Sequence, residues 1–96
     1  MSAESEASEE LTVEQEHGLH LRPAADFVRL AARYRSRVDV ANLTRGGDRR
    51  ADARSLLQIT ALGIDRGHQI RLTATGADAE EAVKALSELI RSNLGT

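Results

Sequence analysis

Apolar and polar residues alternate along Leu11-Thr12-Val13-Glu14-Gln15-Glu16, which predicts a strand with one buried face. Gly18 breaks it, and a loop carries His20 to the next element. From Pro23 onward the apolar positions fall at Ala24, Phe27, Val28, Ala31 and Tyr34, one stripe of a helix. Proline costs little in a first turn, where its missing N–H would have no partner. Val38, Val40 and Asn42 alternate with Asp39 and Ala41 in a second strand, and Thr44 to Asp48 is a turn. Arg49 to Ala53 return as a third strand with Ala51 and Ala53 inward. Their β-propensity is poor, so topology places this strand more than its residues do. Ser55-Leu56-Leu57-Gln58 reads as a capping box, opening a short helix to about Leu62 that Gly63 ends. Ile70, Leu72 and Ala74 alternate within a fourth strand, Gln69 to Thr75. Asp78 and Glu81 form a second capping box. The helix behind it runs to about Leu94, with Ala79, Ala82, Val83, Leu86, Leu89 and Ile90 as its stripe and Gly95 as its stop.

The order is β-α-β-β-α-β-α. Each strand has one apolar face and each helix one stripe. The economical solution is an α+β fold, a four-stranded antiparallel sheet with three helices on one face. Residues 1–9 are small, polar and acidic and read as a disordered tail, which leaves 10–96 as the folded domain.

A chain of 96 residues makes one small domain with a modest core. Phe27 and Tyr34 are its only aromatic residues, so Leu, Ile, Val and Ala must build that core. The same scarcity argues against single-stranded nucleic-acid binding, which stacks bases on aromatic rings. Net charge is −2, but four Glu sit in the first ten residues, and the remainder is slightly basic. Its arginines are scattered, which suits a phosphate or an acidic protein better than a duplex. Cysteine is absent, excluding a disulfide framework or a thiolate metal site. The N-terminus lacks the features of a secretory signal, and no apolar run approaches the ~20 residues that span a bilayer. The expectation is a cytoplasmic protein without membrane insertion.

The run His17-Gly18-Leu19-His20-Leu21-Arg22-Pro23-Ala24-Ala25 sets an imidazole at the mouth of a helix. Helix starts favour anions, because their first N–H groups are unpaired and the dipole is positive there. Histidine is a poor N-cap, so something other than stability selects it. A neutral ring nitrogen is a nucleophile, and a phosphoryl group bound to it here would find its charge partly answered. Arg22 can donate several N–H bonds to that group and stays charged throughout. Without an anion, a cation in the first turn opposes the dipole. His17 reads as a surface residue at a strand end, and His68 as a turn residue without a role. His17 and His20 lack a third ligand, so neither a metal nor another cofactor is expected.

Gly-Leu-His-x-Arg-Pro-Ala-Ala resembles the active-site signature of HPr, the histidine-containing phosphocarrier of the sugar phosphotransferase system. Arg54-Ser55-Leu56-Leu57, followed by Leu62-Gly63-Ile64, is similar to that family's second signature, around its regulatory serine. Gly67 before a strand and Ala74 to Asp78 before the last helix also fit, so the likeness covers about residues 10–94. It implies an open-faced β-sandwich. It implies that enzyme I, charged by phosphoenolpyruvate, phosphorylates His20, and that the group passes to an EIIA-type component of sugar uptake. By resemblance Arg22 is the active-site arginine and Nδ1 the phosphorylated nitrogen. Ser55 is the residue that an HPr kinase/phosphorylase modifies in some relatives, although capping alone also explains it.

Leu56 and Leu57 are adjacent, so a helix cannot bury both equally. With Leu21 and Arg54 they are the expected docking surface for both partners of a monomeric carrier. The sequence departs from the family at His17, where Asn is common, and at Leu21, where smaller or polar residues are. It also departs at residues 42–54, a few residues longer than in compact relatives. Two other jobs stay open. One is regulation through phospho-Ser55, or phosphoryl donation to a dihydroxyacetone-kinase or nitrogen-type pathway. The other is a non-catalytic binding module, which would require both signatures to be chance.

Overall fold

The computed structural model describes residues 5–92. Its strands are β1 (Ser5–Thr12), β2 (Arg37–Asn42), β3 (Arg50–Asp52) and β4 (Gln69–Gly76). Its helices are α1 (Leu21–Ala31), α2 (Leu56–Ala61) and α3 (Ala79–Arg91), with a 3₁₀ turn at Leu43–Arg45. The sheet is antiparallel throughout, in the order β1-β4-β2-β3. Both the α+β class and the order of elements agree with the sequence pattern.

Register turns the period-2 pattern into a core. Val38 pairs with Ala74 and Val40 with Leu72, and all four point to the buried face. Phe27 of α1, Ile59 of α2 and Leu86 of α3 close over them and are fully buried. Burying the Phe27 ring alone contributes about 1.5–3 kcal/mol. The opposite face stays polar, where Arg71 of β4 holds Glu10 of β1 at 2.8 Å.

β1 corrects the sequence reading. The strand lies at Ser5–Thr12, not at Leu11 to Glu16, and the stretch 5–9 assigned to a disordered tail is paired. Residues 1–4 of that tail lie outside the described residues. The ladder with β4 runs from Ser5 opposite Gly76 to Thr12 opposite Gln69. Glu9 and Glu10 are bound by Arg91 and Arg71, so the acidic residues that suggested a tail are side-chain partners on an edge strand. The inward face continues beyond β1 through Val13 and Gln15, both buried.

The first capping box forms only in part and the second does not form. Ser55 Oγ accepts the Gln58 N–H at 3.2 Å. Gln58 does not return the bond, because the Ser55 N–H already donates to the Asp52 carbonyl. The Gln58 side chain instead accepts the Asp52 N–H at 2.9 Å. Asp78 makes no cap bond to α3. Its carboxylate turns back to the segment before β2, accepting from Ser36 N, Ser36 Oγ and Arg35 N at 2.8, 2.5 and 2.9 Å. These bonds, led by the Ser36 hydroxyl, hold its carboxyl at about 2. α3 ends at Arg91, and the expected stop at Gly95 lies outside the described residues.

Candidate functional site

The site begins with a turn that only glycine fits. Gly18 has φ +57°, and a Cβ there would lie 2.2 Å from the Ile64 carbonyl oxygen. The next residue uses the same carbonyl, with Leu19 N–H donating to Ile64 O at 3.0 Å. Two loops distant in sequence are thereby held backbone to backbone. The first delivers His20 to α1, and the second carries Asp65.

His20 is the N-cap of α1, in extended backbone geometry, and makes no side-chain cap bond. Its carbonyl accepts the Ala24 N–H at 2.9 Å and starts the helix. Leu21 and Arg22 occupy the first two helical positions, whose N–H groups have no intrahelical acceptor. Pro23 follows, so its missing N–H costs nothing. No acidic residue stands in this first turn. The start of α1 therefore retains its preference for an anion.

The His20 side chain is 61% exposed, and its Nε2 lies 2.7 Å from Asp65 Oδ1. The other ring nitrogen, Nδ1, makes no hydrogen bond among the described residues. The Nε2 hydrogen bond to Asp65 holds its carboxyl below the usual carboxylate range, against partial desolvation and with help from the charges of His20, His68 and Arg45. Arg22 is exposed and forms no ion pair among the described residues. Its guanidinium is therefore available to a visiting anion. His17 is exposed, and its ring nitrogen Nε2 lies 3.7 Å from Glu16.

A shallow groove beside the ring is lined by Leu19, His20, Leu21, Thr60, Gly63 and Ile64. Its far wall is the C-terminal end of α2. Of the adjacent leucines, Leu56 packs against the core and Leu57 is 80% exposed. Thr60 Oγ1 caps the Leu57 carbonyl at 3.1 Å, so Leu57 stands one turn from the groove. Leu21 is also exposed, so both large apolar side chains stand open to solvent. Arg54 and Ser55 lie at the other end of α2 from His20. The Arg54 guanidinium donates to the carbonyls of Tyr34 and Ser36, tying the start of α2 to the chain beyond α1.

The sequence reading missed Asp65 and His68. Nothing local singles out Asp65, which lies 45 positions from His20 along the chain. His68, given no role, accepts the Asp65 N–H on Nδ1 at 3.1 Å and donates its own N–H to the Asp65 carbonyl at 3.0 Å. Asn42 Nδ2 reaches the same ring nitrogen at 3.1 Å.

The family described as PTS HPr component phosphorylation site matches residues 7–92. The chain is 44% identical over 88 residues to a multiphosphoryl transfer protein of Escherichia coli O157:H7. That match takes in 92% of this chain but 23% of the relative, so the chain spans under a quarter of the larger protein. A phosphocarrier protein HPr of Haloferax volcanii is 38% identical over 80 residues, 83% of this chain and 88% of the relative. Among solved structures, HPr from Thermoanaerobacter tengcongensis aligns with a TM-score of 0.85 and 36% identity, covering 94% of this chain and 97% of that one.

Proposed function

The chain belongs to the HPr family of phosphotransferase-system phosphocarriers, and from that premise we propose that His20 is its phosphoryl-accepting residue. The observation that carries this reading is the exposed His20 ring at a helix start without a side-chain cap, with exposed Arg22 two residues on.

The donor is phospho-enzyme I, charged by phosphoenolpyruvate, and the acceptor is an EIIA-type component of sugar uptake. A ring nitrogen of His20 attacks the donor's phosphorus. Arg22 and the first N–H groups of α1 answer the charge that arrives. Water and solvated ions screen this open site, so the group is steadied without being trapped. Leu21, which lines the groove, and Leu57, one turn of α2 away from it, meet each partner in turn. A carrier that serves two proteins with one small surface binds each weakly and releases it quickly.

Ser55 is the cap of α2 and, where a cell has an HPr kinase/phosphorylase, its phosphorylation point. Phosphate there would set negative charge beside Leu56 and Leu57 and oppose docking of an acidic partner. Among the described residues no helix is long and apolar enough to cross a membrane. The proposed setting is the cytoplasm, with the protein acting as a monomer.

The test is transfer through the chain. Phosphoenolpyruvate, enzyme I, this protein and an EIIA-type acceptor should give phosphorylated acceptor, and His20→Ala should give none. Transfer persisting in His20→Ala would reject the assignment.

A further inference from the structure

We propose that Asp65 is a positioning residue, holding the His20 ring by Nε2–H so that Nδ1 is the nitrogen presented for attack. This rests on the phosphocarrier reading above and deepens it.

Geometry carries the argument. Asp65 Oδ1 lies 2.7 Å from Nε2, a distance at which one of the two must donate. An ionised carboxylate only accepts, so the proton is on Nε2, and neutral His20 has its lone pair on Nδ1. The same oxygen crowds Nε2 and repels an approaching phosphoryl group. Such a pair at the surface adds little to stability, since both side chains are more than half exposed. Its effect lies in which nitrogen is free.

The fold sets this distance through backbone contacts. On the His20 side, Gly18 packs onto Ile64 and Asp65, and Leu19 N–H binds the Ile64 carbonyl. On the Asp65 side, His68 accepts the Asp65 N–H and donates to its carbonyl. An Asp side chain with two rotatable bonds then has little freedom to miss the ring. The charged and titratable groups around Asp65 are His20 at the start of α1, His68 before β4 and Arg45 of the 3₁₀ turn.

The transfer step balances with this arrangement. The Nδ1 lone pair forms the new N–P bond. The bond between phosphorus and the donor's carrying atom breaks, and its electron pair stays on the donor. The Nε2 proton remains between the ring and Asp65, so phosphorylated His20 is an imidazolium facing a carboxylate. When the acceptor's nucleophile attacks phosphorus, the N–P bond breaks, its electron pair returns to Nδ1 and the neutral ring is restored.

The test reads the ring directly. Nitrogen-15 NMR of the full chain at about pH 9, where imidazole is neutral, reports which His20 nitrogen carries the proton. The wild type should be wholly the Nε2–H form, and Asp65→Ala a mixture of both tautomers. Asp65→Asn, whose amide can turn its NH2 toward Nε2, should lose the exclusive Nε2–H form that the carboxylate enforces. Phosphoryl uptake from phospho-enzyme I should fall about tenfold or more in Asp65→Ala, a size typical of groups that orient an imidazole from behind. Identical tautomer spectra in wild type and Asp65→Ala, or a wild-type Nδ1–H form, would overturn the proposal. The NMR readout needs no partner protein. A wild type that shows the Nε2–H form yet takes up no phosphoryl group would instead reject the carrier reading.

Discussion

The α-carbon of Gly18 faces the carbonyl oxygen of Ile64 so closely that a methyl group on it would sit 2.2 Å away. Backbone atoms form both sides of this contact, so no side chain can rotate to relieve it. Gly18 also has φ +57°, where an L side chain costs about 1–2 kcal/mol before any clash. Gly18→Ala should therefore destabilise the fold by about 2–4 kcal/mol. Urea unfolding measures this loss. The same variant should weaken phosphoryl uptake, because the displaced loops are those of His20 and Asp65.

Asp78 sets an acid limit on stability. Its carboxyl is held at about 2, against an ordinary 3.8, first by the Ser36 hydroxyl and then by the Arg35 and Ser36 N–H groups. A carboxyl depressed in the folded state binds fewer protons there than in the unfolded chain. Its contribution is complete above about pH 4 and is lost as pH falls toward about 2. Unfolding free energy measured across that window should decline, and Asp78→Asn should flatten the decline while lowering stability at neutral pH. A decline of equal steepness in the variant would remove Asp78 as a cause.

Ser55 separates capping from charge. Ser55→Ala loses the bond to Gln58 N–H and should cost about 1 kcal/mol. Ser55→Asp keeps an accepting oxygen and should stay within a few tenths of wild type, since Asp caps as well as Ser. If phosphorylation at this point opposes docking, Ser55→Asp should slow transfer, whereas Ser55→Ala should leave it near wild type. Steady-state transfer with varied enzyme I distinguishes the two.

Leu57 should matter to partners and not to the fold. It is 80% exposed, so Leu57→Ala should change stability by no more than about 0.5 kcal/mol. An apolar anchor at the centre of a small interface is worth more, so the same change should weaken productive docking by about tenfold. Leu56→Ala should show the opposite balance, because Leu56 packs against the core.

The fold was legible where burial and local chemistry agree. Ile70, Leu72 and Ala74 alternate in sequence and share the buried face of β4. Ala24, Phe27 and Ala31 recur at helical spacing and are the buried side of α1. β1 was misplaced because an edge strand is selected by its partner. Ser5 to Glu10 carry little apolar signal, and only the ladder to β4 and the arginines at positions 71 and 91 explain their order. The capping boxes misled for a related reason. The Ser/Gln and Asp/Glu spacings are local, but Asp78 finds better donors in Ser36 and Arg35, more than forty residues away. His20 and Arg22 stood out because histidine is a weak N-cap and arginine opposes the dipole. Asp65 did not, because a turn aspartate breaks no local rule, and its contact with His20 exists only after Gly18 has docked against Ile64.

Intact-mass spectrometry tests His20 as the phosphoryl acceptor most directly. The full chain is incubated with enzyme I, phosphoenolpyruvate and Mg²⁺, beside His20→Ala and a carrier of known activity. The wild type should gain one phosphoryl group, lost on brief acid treatment, and His20→Ala should gain none. An unchanged mass in the wild type while the control carrier is charged, or an acid-labile phosphoryl group on His20→Ala, would contradict that role.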